Sequence, residues 1–232
     1  MSIDLPAHAR KIRSFVRREG RMTAAQQLAL QQFWPAYGLE PDRVLDVQQV
    51  FGRSAGLTLE IGFGNGATLA SLASSQPEGN FIGIEVHRPG VGRLLQVLQQ
   101  QQLTNVRIYC ADATEVLATC IPDASLERVL LLFPDPWPKQ RHHKRRIVQL
   151  PFIDLLATKL SAGGVLHMAT DWEDYAHHML EVMAASAAFR NCAGQGQFAA
   201  RPGYRIATRF EQRGTALGHR VRDLLFERLA DS

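Results

Sequence analysis

Asp135 and Trp137 stand among three prolines in the run FPDPWP, and five lysines or arginines follow within residues 139–146 with no acid among them. A carboxylate on a backbone stiffened by proline is a fixed negative charge. It suits a bound cation, or positive charge that develops during a reaction. A cationic stretch of that density suits the phosphates of a nucleic acid, and on charge alone it suits a solvated surface equally well. The aromatic rings of Phe133 and Trp137 are placed either to stack on a planar base or simply to pack the loop.

The elements that must position these residues follow from periodicity. Leu57–Ile61, Phe81–Ile84, Val106–Tyr109, Val129–Phe133 and Val165–Ala169 are short apolar runs that read as strands, with Val221–Leu229 as a last one. Between them lie helical stretches at 67–75, 89–98, 114–118 and 147–160. Thr170-x-x-Glu173 reads as a capping box for a helix with Trp172, Tyr175, Ala176, Met179, Leu180 and Met183 on one face. Residues 45–50 are ambiguous, and 189–218 read as irregular. Strands alternating with helices predict a mostly parallel α/β sheet with helices on both faces, whose ligands sit beyond the carboxyl ends of the strands.

Acids mark that edge. Glu60 is near the end of the first strand, Glu85 ends the second, Asp112 follows the third, Asp135 the fourth and Asp171 the fifth. Any one of them suits a cap or turn, and for Asp171 the cap reading weighs as much as the functional one. Five in register predict one acidic crevice. The loop after the first strand is Gly62-Phe-Gly64-Asn-Gly66, spaced G-x-G-x-G rather than G-x-G-x-x-G, which speaks against a dinucleotide-dependent oxidoreductase. A carboxylate beside such a loop suits a ligand bearing ammonium or sulfonium, and Glu85 is placed to accept from ribose hydroxyls. This is the pattern of S-adenosylmethionine binding.

Bulk numbers bound the class. The 232 residues are enough for one α/β core and carry a net charge of +4, with 46% hydrophobic and 21% charged residues. Residues 1–21 carry a net +4 and 139–146 a net +5, whereas 22–138 are net acidic. The positive charge is therefore confined to two short segments that a polyanion would feel. Residues 1–35 are expected to form a basic N-terminal extension, with an amphipathic helix or an arm that orders on binding ended by Gly20 and a second helix over Thr23–Phe33 broken before Pro35, and 36–232 the main domain. No apolar run nears the ~20 residues that span a bilayer, and residues 1–30 contain no signal-like apolar core. Cys110, Cys120 and Cys192, odd in number and far apart, argue for a reducing compartment and against a zinc site. The expectation is a cytoplasmic protein, a monomer or homodimer, with no membrane association and no metal.

The chain resembles the bacterial tRNA (guanine-N7)-methyltransferases. The likeness rests on IRSFVRREGRMT (12–23), TLEIGFGNG (58–66), GIEVHRPGVG (83–92), FPDPWPKQRHHKRR (133–146), ATDWEDYA (169–176) and TRFEQRG…LGH…DLLFERL (208–229), in the family's order over nearly the whole chain. It implies a seven-stranded, Rossmann-like class I methyltransferase sheet. It further implies that Glu60, Gly62, Gly64, Gly66, Glu85, Asp112 and Asp135 bind S-adenosylmethionine, and that Asp135 is also catalytic. Lys139, Asp171, Thr208, Arg209, Phe210 and Glu211 would contact the guanosine, and Arg141, His142, His143, Lys144, Arg145 and Arg146 the tRNA. The sequence does not divide roles among Asp135, Asp171 and Glu211. The competing readings are a methyltransferase for a small molecule or protein, and an RNA-binding protein on a methyltransferase scaffold.

Overall fold

The computed structural model describes residues 14–15, 20–206, 211 and 220–230. Thr208, Arg209 and Phe210 therefore lie outside the described residues. The strands in chain order are β1 (Gly38–Leu39), β2 (Leu57–Ile61), β3 (Asn80–Ile84), β4 (Val106–Tyr109), β5 (Leu126–Leu132), β6 (Leu160–Thr170), β7 (Phe189–Asn191) and β8 (Arg222–Arg228). They form one sheet in the order β1-β4-β3-β2-β5-β6-β8-β7. All pairs from β1 to β6 are parallel, and β8 runs antiparallel to β6 and β7. Among the described residues the sheet has eight strands where seven were expected. β1 and β7 were not foreseen, because two or three residues at a sheet edge are too short to carry a period.

The helices are α1 (Ala24–Tyr37), α2 (Val47–Phe51), α3 (Ala67–Ser75), α4 (Arg88–Gln100), α5 (Ala113–Thr119), α6 (Leu150–Lys159) and α7 (Glu173–Ala184), with a 3₁₀ helix at Gln140–Arg145. Both sheet faces are covered. One layer packs α2, α5, α6 and α7 on Leu59, Ile61, Val129, Leu131 and Met168; the other packs α1, α3 and α4 on Phe81, Ile108, Leu130 and Ala169. Burying each such aliphatic side chain is worth ~1.5–3 kcal/mol, so the two layers supply the main drive to fold. In α4, Val91, Leu94, Leu95 and Leu98 form the buried stripe that their spacing predicts.

Several local expectations change. α1 carries a complete capping box between Thr23 and Gln26, and its Ala29 and Tyr37 are buried. The helix expected over Thr23–Phe33 is thus present, but it runs on through Pro35 to Tyr37, past the expected break, and position 35/36 lies inside it. Residues 45–50 resolve into α2, capped by Asp46. α6 starts at Leu150 and not at Ile147, because Pro151 sits at its first turn, where a missing N–H costs nothing. The capping box expected at Thr170 and Glu173 is not formed. Trp172 is the N-cap of α7, Thr170 Oγ1 accepts from Trp172 N–H at 3.2 Å, and Glu173 is drawn to Arg222 at 3.0 Å.

Candidate active site

The parallel order of β2 to β6 brings their carboxyl ends to one edge. There a cavity of about 330 Å³ is lined by Gly62, Glu85, Asp112 and Asp135 together with Ile61, Ile84, Leu132, Phe133 and Ile147. Four of the predicted cofactor residues thus share one cavity. Gly64, Gly66, Glu60, Asp171 and Lys139 are not among its lining residues.

The glycine loop explains its own spacing. Gly62, Gly64 and Gly66 all have positive φ, at 70°, 57° and 75°, a region that L side chains rarely enter. Gly90, in the first turn of α4, was not singled out from the sequence. A Cβ there would lie 2.1 Å from Gly64 O, so only glycine lets α4 approach the loop. Glu85 staples the same region. Its Oε2 accepts from Gly64 N–H at 2.9 Å, and its Oε1 from Val86 N–H at 2.7 Å and His87 N–H at 2.9 Å. Asp112 caps α5 by accepting from Thr114 N–H at 2.9 Å.

Glu60 lies beneath this loop, 4% exposed, and its Oε2 has no hydrogen-bond partner. Burial, and secondly the charge of Glu85, push its carboxyl up to about 8, against a smaller opposing pull from Leu69 N–H. A buried acid with an unmatched oxygen is the chemistry expected next to a cationic ligand. With the acids and apolar strips of the cavity, it fits a molecule that carries a sulfonium or ammonium, hydroxyls and a flat base.

Asp135 is exposed at the cavity rim, and among the described residues its side chain makes no hydrogen bond. The corner that holds it is strained. Phe133 and Trp137 adopt φ of 53° and 46°, each costing ~1–3 kcal/mol, a cost that tends to be kept where a loop must be aimed. Contacts around the corner sustain it. Trp137 Nε1–H donates to Ser14 O at 3.0 Å, Arg145 lies 3.9 Å from the Trp137 ring centre, and His142 meets the ring edge-on. Ser14 and Phe15 also line the cavity. Ser14 and Phe15 fall in the IRSFVRREGRMT run, but the bond from Trp137 to Ser14 spans 123 residues and had no local signal.

The cationic run divides in the structure. Lys139, Arg141 and Lys144 are exposed, and His142, His143 and Arg145 are half-buried. His142 is held below its ordinary value by desolvation and then by the cations Arg141, Arg145, Lys139 and Lys144. Arg146, expected among the RNA-binding residues, has its guanidinium inside the protein. It is buried, donates from Nε to Pro136 O at 3.0 Å, pairs with Asp174 and lies over the Tyr175 ring. Its charge serves to tie the 3₁₀ helix to α7.

Glu211, expected to contact the guanosine, is engaged inside the protein. It is buried and takes a two-pronged bond from Arg205, at 2.6 and 3.0 Å. Arg205 also reaches Asp223 at 2.9 Å, and His167 Nε2 lies 2.8 Å from the same carboxylate, with Tyr204 on the far side of the imidazole at 3.0 Å. Burial pushes Asp223 up, but the bonds from His167 and Arg205 outweigh it and hold the acid below the usual range. Glu211 and Asp223 fall in runs that carry the family likeness, but their pairing with Arg205 and His167 has no local signal, because the pairs are 6 to 56 residues apart. Among the described residues, no group of three or more His, Cys, Asp or Glu is arranged to hold a metal ion, and no helix is long and apolar enough to cross a membrane.

Residues 54–224 match the family described as "Putative methyltransferase". The chain is 59% identical over 222 residues to a tRNA (guanine-N(7)-)-methyltransferase of Alcanivorax borkumensis, covering 95% of this chain and 93% of the relative. It is 54% identical over 230 residues to one from Hydrogenovibrio crunogenus, covering 99% and 96%. The crystal structure of the 16S rRNA methyltransferase KamB aligns with a TM-score of 0.59 at 14% identity, over 82% of this chain and 96% of that one, which supports the class I methyltransferase fold. With relatives this similar over nearly their whole length, the chain belongs to the tRNA (guanine-N(7)-)-methyltransferase family.

Proposed function

We propose that this protein transfers a methyl group from S-adenosylmethionine to N7 of a guanosine in tRNA, working in the cytoplasm. The observation that carries the reading is the meeting, at one strand edge, of the Glu85–Asp112–Asp135 cavity with an exposed cationic 3₁₀ helix, in a chain of this family. S-adenosylmethionine would supply an electrophilic methyl on a sulfonium, with Glu85, Asp112 and Asp135 holding it and Glu60 contributing negative charge from beneath the glycine loop.

Guanine N7 carries a lone pair and no proton, so no base has to deprotonate it before attack. Catalysis is then mainly positioning and electrostatics. Positive charge moves onto the base as the new bond forms. Asp135, fixed in a strained corner with no internal cation, is placed to stabilise that charge. Asp171 follows β6 as Asp135 follows β5, and Phe133 N–H donates to Ala169 O at 2.7 Å, so the two acids stand on neighbouring strand ends. Asp171 suits the N1–H and N2–H₂ edge that separates guanine from adenine. Lys139, Arg141 and Lys144 would grip phosphates as a salt-dependent contribution. A guanine in folded tRNA must splay out of its stack to reach such a site.

The test is incubation of unmodified tRNA with labelled S-adenosylmethionine, followed by chain cleavage specific to N7-methylguanosine. Label that coincides with cleavage supports the reading. Label without cleavage assigns a different atom, and no label leaves the RNA-binding scaffold as the better account.

A further inference from the structure

We infer that Trp172 is the platform on which the splayed guanine stacks; this rests on the guanine-N7 reading above. The aromatic side chains around the strand-end edge are mostly taken. Trp137 carries Arg145 at 3.9 Å and His142 on its edge. Arg205 lies 5.8 Å from the Phe133 ring, Arg146 4.8 Å from Tyr175, and Arg128 4.7 Å from Tyr204. Trp172 is different. It is 36% exposed, follows Asp171 directly, and has no ring or guanidinium against it among the described residues.

Its position fits the role. Trp172 is the N-cap of α7, held at its backbone by the bond from its N–H to Thr170 Oγ1, so the indole sits on a fixed element and not a long loop. The two acids of α7's first turn are already matched, Glu173 by Arg222 and Asp174 by Arg146. Among the residues at the start of this helix, Asp171 and Trp172 are left to meet the substrate, one for an edge and one for a face.

The chemistry favours an indole over any other ring. Methylation at N7 leaves guanine cationic, and the face of tryptophan is the most electron-rich of the aromatic side chains. The stack therefore strengthens as positive charge develops, which is stabilisation realised more in the transition state than in the ground state. The same property makes the methylated product bind more tightly than the substrate.

The experiment compares Trp172→Ala, Trp172→Phe and Trp172→Tyr for kcat and KM with unmodified tRNA, for S-adenosylmethionine affinity by calorimetry, and for inhibition by N7-methylated tRNA. A lost base stack corresponds to about a 10- to 100-fold fall in kcat/KM for Trp172→Ala. Phe and Tyr should restore much of it, cofactor affinity should stay unchanged, and inhibition by methylated tRNA should weaken more than binding of unmodified tRNA. Unaltered kinetics in Trp172→Ala, or Phe and Tyr variants as impaired as Ala, would overturn the proposal. So would a loss confined to the cofactor. If the unaltered protein fails to methylate tRNA at N7, the guanine reading falls instead, independently of Trp172.

Discussion

Two sets of carboxylates occupy the same end of this sheet and differ in burial and in whether the protein supplies their counter-charge. In the inner set, Glu211 and Asp223 are buried and answered by Arg205 and His167 at 2.6–3.0 Å. In the outer set, Asp135 and Asp171 have no cationic side chain paired to them among the described residues. The inner acids are neutralised and hold Arg205 beside β6 and β8. The outer acids keep their charge for something that arrives from outside. Residue type and spacing do not tell these sets apart, since TRFE and DPWP both present an acid beside an aromatic.

The sharpest way to break this contrast is to remove a cation from the inner set. Arg205→Ala would take the shared guanidinium from two buried carboxylates, leaving His167 beside Asp223 and Arg201 beside Glu211, and should cost ~3 kcal/mol of stability, seen as an earlier denaturation midpoint; a midpoint close to that of the unaltered protein would mean the network is not structural. Removing an acid from the outer set should do the opposite. Asp135→Ala should leave the denaturation midpoint nearly unchanged while lowering kcat ~10²–10³-fold with tRNA affinity largely kept, and retained turnover would refute its role.

Glu60 stands between the two sets, buried like the first and unmatched like the second. Its carboxyl sits at about 8 in the folded chain against an ordinary 4.5. Between those values the folded state holds one more proton than the unfolded state, so stability falls as pH rises through that window and levels off above it. Glu60→Gln should remove this slope and stabilise the ligand-free protein at pH 8 by roughly 2–4 kcal/mol. Thermal melts across pH 5–8 would decide it, and an unaltered slope would place the titration elsewhere. A ligand cation at Glu60 favours the ionised acid, so S-adenosylmethionine binding should release a proton, measurable by calorimetry in buffers of different ionisation heat.

The smallest effects belong to the cationic run. Arg141→Ala and Lys144→Ala should each lower the salt slope of tRNA binding by about 1 without changing stability. Arg146→Ala should instead destabilise the 3₁₀ helix and its junction with α7, because its guanidinium is already bonded to Pro136 and Asp174. Equal salt slopes for all three variants would cancel the distinction.

Most of the frame was legible beforehand. The strands β2 to β6 lie close to their apolar runs, and the acids that follow them share an edge because parallel strands send every carboxyl end the same way. The glycine loop was visible by its spacing. What escaped detection was short or distant: β1 and β7, the contact of Ser14 and Phe15 with the Asp135 corner, and the network through Arg205, His167 and Asp223.

The sequence by itself determined the alternation of strands and helices, the acids at the strand ends, the cationic run and the family. These depend on local period, on chain direction and on motifs whose members are neighbours. Only the tertiary structure decided which charges are matched inside and which remain open. Pairing depends on distances between side chains far apart in the chain, and burial multiplies the consequence of each pair by removing the water that would otherwise screen it. Thus Arg146 and Glu211 became internal supports, while Asp135 and Trp172 were left facing outward.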